Sequence, residues 1–275
     1  MKRKTTTPHE RYLLGVRKRK TIIKLWQIGL LVALIGAWEL FSAIGVLDVF
    51  FTSSPSRIVT TFIDLAMGGE FFYHVGVTLA ECVIGFAISM LGGSVIAILL
   101  WLSDSARKVA QPYLVVLNAL PKIALGPLII IWVGAGVKAI VLMAVMICII
   151  VTVISVLEGL CATDASKILL LRSMGAKRFQ ILKLAVLPSA LPTFLSVAKI
   201  NVGLAWVGTI MGEYLVSGAG LGYLIVYGGQ VFRTDLVMTA TVTLCALAGG
   251  MYGITALAEK LWHSRDKHKR SKKIR

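Results

Sequence analysis

Long apolar runs recur along the chain at lengths set by a bilayer rather than by a soluble core. A hydrocarbon layer of about 30 Å takes roughly 20 residues of helix. Six stretches qualify: 26–47, interrupted by Glu39, then 75–102, 112–133, 137–157, 189–212 and 236–258. Pro121 and Pro127 fall inside the third. They predict a kinked or broken span, because proline removes a helical donor and its ring collides with the preceding turn. Gly85, Ser89, Gly93 and Ala97 recur every fourth residue in the second stretch, and Gly249 and Gly253 do so in the sixth. Small residues at that spacing let helices approach closely. The predicted fold class is an all-α membrane protein with six transmembrane helices.

Charge orients these spans. Of 29 Lys and Arg, 24 lie in four segments: the tail up to Lys24, the turn with Arg107 and Lys108, the connection 158–188, and the tail from Lys260. The opposite side holds Arg57, Lys138 and Arg233, while Lys122 and Lys199 fall within spans. The excess of positive residues marks the cytosolic side, so both termini are expected there, as an even number of spans requires. Composition agrees: 57% hydrophobic, 15% charged and a net charge of +16. Nucleic-acid binders are basic without being this apolar, so no nucleic-acid partner is expected. The basic faces are expected to meet anionic membrane lipid.

Familiar reaction chemistry is missing. There is no G-x-x-x-x-G-K-[ST], no H-E-x-x-H, no G-x-S-x-G and no close pair of carboxylates in sequence within a span. The patch Gly218-Ala219-Gly220-Leu221-Gly222 lacks the spacing and preceding strand of a dinucleotide fingerprint. Cys82, Cys148 and Cys245 lie inside apolar runs and Cys161 in a cytosolic segment. They are read as small buried hydrophobes, not metal ligands. No cofactor, metal or catalytic residue is expected in this chain.

The connection 158–188 is the most informative segment. It reads as two short helices parted by Gly175, a residue suited to a helix C′ position. Ile168 and Leu171 share one face of the first helix, with Leu169 close by. Phe179, Leu182 and Val186 share one face of the second. Pro188 suits the first turn of the following span. An amphipathic hairpin on the inner leaflet and a docking element for a soluble partner both fit this pattern.

Gly175, nine residues, then Ala185-Val186-Leu187-Pro188 resembles the E-A-A-x3-G-x9-I-x-L-P loop of bacterial ABC importer permeases. Within that family the chain is most similar to the nitrate/sulfonate/taurine type. Pro112 through Pro121, Pro127-Leu128, Trp132 and Gly134 extend the likeness. So do Leu204-Ala205-Trp206, Glu213, Gly220-Leu221-Gly222-Tyr223 and Phe232-Arg233-Thr234-Asp235, over about residues 38–262. Where the family has Glu-Ala-Ala this chain has Leu169-Leu170-Leu171, while Arg172 and Gly175-Ala176 remain. The missing glutamate removes a polar contact, and a more apolar face would insert into a hydrophobic cleft instead.

The resemblance implies the fold and partners of a type I importer. Two permease copies, most simply a homodimer, would form the pore. A separate ATP-binding subunit would bind the nucleotide and dock on 158–188, and an extracellular solute-binding protein would deliver the cargo. Candidate coupling residues are Leu169, Leu170, Leu171, Arg172, Gly175, Ala176, Leu187 and Pro188; candidate pathway residues are Lys199, Trp206 and Glu213. Lys199 in the fifth span is read either as an electropositive patch favouring an anion or as a structural pair with Glu81 or Glu39. Glu39 itself is read as structural, and Glu81 as reaching the outer interface. The chain divides into a basic cytosolic tail, 1–25, a first helix with its external loop, 26–74, a permease core, 75–258, with coupling loop 158–188, and a second basic tail, 259–275. The expected cargo is a small anion such as a sulfonate, taurine or nitrate, with a neutral or cationic thiamine precursor as the alternative. An ion-coupled secondary transporter or a membrane scaffold are the rival classes.

Overall fold

The computed structural model describes residues 8–273; the ends of the two basic tails, 1–7 and 274–275, lie outside the described residues. The elements are α1 (Pro8–Ala43), α2 (Val49–Thr52), α3 (Pro55–Met67), α4 (Glu70–Leu102), α5 (Asp104–Ala119), α6 (Gly126–Val133), α7 (Val137–Cys161), α8 (Ala165–Ser173), α9 (Arg178–Ile181), α10 (Leu187–Val216), α11 (Leu221–Gln230) and α12 (Thr234–Lys273). No strand occurs among the described residues. Five helices are long and apolar enough to cross a membrane, and six if the bent pair around residue 120 counts as one span.

That pair is the predicted broken span. Helix α5 stops at Ala119, a 3-10 turn covers Lys122–Leu125, and the two halves meet at 85°. Proline at 121 disfavours helix at Leu120. Lys122 Nζ donates to the Asn118 carbonyl at 3.1 Å, placing a cation where the carbonyls of α5 end.

Helix α7 is the central element, sandwiched between α4 and α10. The contact is close because glycines remove side chains there. A Cβ on Gly85 would lie 2.7 Å from Ala144 Cβ, and one on Gly93 2.7 Å from Thr152 Cβ. On α10, a Cβ on Gly208 would lie 2.5 Å from Ala144 Cα, and one on Gly212 2.8 Å from Ile140 Cα. The ladder Gly85, Ser89, Gly93 and Ala97 is buried throughout. A polar bridge crosses the same seam: buried Asn201 Nδ2 donates to Thr152 Oγ1 at 2.6 Å. By contrast, Gly249 and Gly253 meet nothing within 4 Å, so the small-residue pair on the sixth span makes no close approach within the protomer.

Two stretches outside the expected spans are helical as well. The segment after the first span folds as α2 and α3, each started by a side-chain cap: Asp48 accepts from Phe50 N and Ser54 from Arg57 N. Glu39 accepts from Ser56 N at 3.1 Å and Ser56 Oγ at 2.5 Å, tying α1 to the start of α3. The sixth span does not end at 258 but continues as helix through Lys273. Helix α10 starts at Leu187 with Pro188 in its first turn, as expected, and the stretch Arg178–Val216 stays helical throughout, α9 joining α10 without a break. A π turn at Leu182–Val186 precedes the proline, and such a turn absorbs an extra residue and the missing i−4 bond.

Candidate functional site

The segment between α7 and α10 is built by strong local signals. Asp164 Oδ1 accepts from Ser166 N at 2.9 Å and starts α8. The helix ends in a Schellman motif: Gly175 N donates to the Arg172 carbonyl and Ala176 N to the Leu171 carbonyl, both at 2.9 Å. Gly175 has φ +81°, a conformation disfavoured for any residue with a Cβ. Lys177 N then donates to Gln180 Oε1 at 2.7 Å, opening α9.

The two faces of this hairpin differ. Ile168, Leu171, Ala176, Ile181, Leu182, Val186 and Leu187 pack against Ala97, Trp101, Val156, Leu157 and Leu160. Leu169 (68% exposed), Leu170 (62%), Met174 (74%) and Phe179 (66%) point away from that core. Leu169 therefore lies on the opposite face from Ile168 and Leu171. Phe179 also leaves the expected stripe, being exposed while Leu182 and Val186 are buried. Arg172 and Pro188 are exposed.

An ionic cluster fastens the hairpin to the α4–α5 junction. Arg178 Nη2 lies 2.5 Å from Asp104 Oδ2, and Arg107 Nη2 3.4 Å from Asp104 Oδ1. Arg107 also donates to Cys161 Sγ at 3.0 Å, and the Arg178 guanidinium sits 6.0 Å from the Trp101 ring centre. Cys161 is exposed, unlike the buried Cys82 and Cys148, and Cys245 is exposed too, because its face of α12 looks away from the bundle.

The three candidate pathway residues do not converge. Lys199 Nζ lies 2.5 Å from Glu259 Oε2 on α12, and Ser196 Oγ donates to Glu259 Oε1 at 3.3 Å. The lysine is paired, with neither Glu81 nor Glu39. Trp206 and Glu213 are 3% and 1% exposed, on the face of α10 turned toward the rest of the protomer.

Around Glu213 the structure assembles something the linear sequence conceals. Three consecutive amides opening α11 are each taken by a spanning helix. Gly220 N donates to His74 Nδ1 at 2.9 Å, Leu221 N to Thr78 Oγ1 at 2.7 Å, and Gly222 N to Glu213 Oε2 at 2.5 Å. The glycines are required by contact: a Cβ on Gly220 would collide with the Glu213 carboxyl, and one on Gly222 would lie 2.6 Å from Glu213 Oε2. Glu81 does not reach the interface. It is 2% exposed and lies beside the buried Glu213. The only sequence signal for this cluster is the helical spacing of His74, Thr78 and Glu81 on one face of α4. At the far end of α11, Phe232 adopts φ +56° and stacks on Phe50 at 6.3 Å.

Comparison with known proteins identifies the arrangement. The family described as "Binding-protein-dependent transport system inner membrane component" matches residues 89–258. The chain is 29% identical over 226 residues to the putative aliphatic sulfonates transport permease protein SsuC of Bacillus subtilis, covering 82% of each. It is 33% identical over 186 residues to the formylaminopyrimidine transport permease protein ThiX of Halalkalibacterium halodurans, covering 68% of this chain and 74% of that one. Its fold is that of a chain of the MetNI methionine ABC transporter solved in an inward-facing conformation, with TM-score 0.63, 20% identity, and coverage of 71% and 97%. The helical architecture with several membrane-length helices, the Gly175 hairpin and these likenesses lead to one conclusion: the chain belongs to the binding-protein-dependent transport system inner-membrane components, as the multi-pass inner-membrane permease of an ABC importer.

Proposed function

We propose that this permease carries a small organic anion, with alkanesulfonates as the first class to test, and that residues 158–188 are where an ATP-binding subunit docks. The docking reading rests on the rigid hairpin with Leu169, Leu170, Met174 and Phe179 exposed on one side and its opposite side fixed in the core. An apolar face on an anchored helix suits a hydrophobic cleft. Leucines replace the acidic position, so the contact is driven by apolar burial rather than by charge.

In this reading two copies enclose the pathway, both termini and the coupling hairpin face the cytosol, and a binding protein delivers cargo from outside. Nucleotide is bound and hydrolysed by the partner, not by this chain. The distribution of Lys and Arg supports the orientation. The core is 75–258, preceded by the first helix and external segment at 26–74 and flanked by the basic tails at 1–25 and 259–275.

The sulfonate reading rests on the aliphatic-sulfonate permease among the relatives. The formylaminopyrimidine permease, more identical over a shorter stretch, favours a neutral heterocycle as the second reading. Uptake decides between them: the permease, its ATPase and its binding protein are expressed in cells lacking their own sulfonate importers. ATP-dependent accumulation of a labelled alkanesulfonate is expected; accumulation of the pyrimidine alone would overturn the anion assignment. Docking is tested by co-purification. Leu169→Asp with Leu170→Asp is expected to abolish ATPase retention with the permease still folded, and full retention would sink the docking surface.

A further inference from the structure

Glu81 and Glu213 are 2% and 1% exposed, and their carboxyls face each other between α4 and α10. Glu213 Oε2 is engaged by Gly222 N. Glu213 Oε1, both oxygens of Glu81 and the fully buried Thr209 Oγ1 have no hydrogen-bond partner among the described residues. Thr209 lies one turn before Glu213 on the same face of α10 and beside Cys82, the neighbour of Glu81. No Lys or Arg forms an ion pair with either carboxyl among the described residues. The other titratable groups nearby are Cys82 and His74 on α4 and Tyr214 on α10. His74 Nδ1 is already an acceptor for Gly220 N.

Charge balance then sets a requirement. Buried charges must be paired or must hold a counter-ion. The start of α11 offers about half an elementary charge to Glu213, so a doubly ionised carboxyl pair stays about one and a half positive charges short, and one monovalent cation removes most of that deficit. The unpartnered donors are all oxygens, the set that hard cations and protons select. They are too few and too crowded for the six to eight ligands calcium takes.

We propose that Glu81 and Glu213 form a buried site for one small monovalent cation, a proton or an alkali ion, whose charge keeps the start of α11 docked between α4 and α10. Glu81 and Thr209 supply the oxygens on one side. Glu213 links the bound charge to the Gly222 amide, so site occupancy and the seating of α11 become one equilibrium.

The test uses the full-length chain in lipid vesicles. In sodium- and potassium-free choline buffer at neutral pH, a bound proton gives an infrared carboxylic-acid band that Glu81→Gln diminishes. A bound alkali ion instead raises the thermal midpoint in sodium or potassium chloride over choline chloride at equal ionic strength, and Glu81→Gln abolishes that rise. Either signature supports the site and names its occupant; absence of both from the unmodified chain overturns it, whether or not the variant folds. Amide exchange at 220–222 tests the coupling. Protection is expected to fall when pH is raised or the alkali ion withdrawn in the unmodified chain, and not in Glu81→Gln. Protection indifferent to both in the unmodified chain overturns the link to α11.

Discussion

Arg178 on the hairpin between α7 and α10 lies 2.5 Å from Asp104 at the first turn of α5, seventy-four residues earlier in the chain. Both side chains are substantially exposed, so the pair adds little to global stability. It joins the hairpin to the junction of two spans, and a displacement of α8 and α9 is expected to pass through it to α4 and α5. Arg178→Ala is expected to leave the thermal midpoint nearly unchanged and to lower uptake roughly 2- to 30-fold, the range for residues that carry coupling between sites. Exchanging the charges, Asp104→Arg with Arg178→Asp, is expected to recover part of the loss. Transport assays on the reconstituted complex check both, and full activity of Arg178→Ala would remove the pair from the coupling route.

Gly175 closes α8 at φ +81° through two hydrogen bonds, from its own amide and that of Ala176. Gly175→Ala forces a Cβ into that conformation at a cost of about 1–2 kcal/mol. The loss is local, because nothing packs on the position. Faster amide exchange over 165–181 with exchange in α7 unaltered is the expected pattern. Gly175→Asn, which tolerates the left-handed region better, is expected to fall between the two.

On α10, Gly208 and Gly203 make a matched pair. A Cβ at 208 meets the Ala144 backbone at 2.5 Å, whereas one at 203 meets nothing within 4 Å. Backbone cannot rotate out of the way. Gly208→Ala should therefore destabilise by about 1–3 kcal/mol, seen as a lower thermal midpoint and poor membrane yield. Gly203→Ala should be neutral or mildly stabilising, since helical alanine is favoured over glycine by about 0.5–1 kcal/mol. Equal effects at both sites would contradict the close α7–α10 approach.

Lys199 and Glu259 are mutual partners at 2.5 Å, with Ser196 on the same carboxylate. Removing one charge strands the other in an apolar setting, while removing both does not. Lys199→Met alone is expected to lower the thermal midpoint more than Lys199→Met with Glu259→Met, a non-additive result read from a double-mutant cycle. If the double variant is intact but fails to transport an anion, the lysine has a role in the pathway beyond its ion pair.

The sequence alone determined those features that depend on composition and short spacing. Bilayer-length apolar runs, the break at Pro121, the small-residue face of α4 and the Gly175 turn are local properties, and the structure realises each of them. Local signals failed where neighbouring helices changed the outcome. Phe179 lies on the exposed face apart from buried Leu182 and Val186, and the segment after the first span became two capped helices resting on the bundle. Lys199 found Glu259, and the carboxyls of Glu81 and Glu213, far apart in the chain, were brought together over the amides of α11. Periodicity says which face of a helix is apolar, but it carries no information about which distant helix will face it. That choice belongs to tertiary packing, which sets α4 and α10 against α7 and also against each other, and so brings two buried acids side by side.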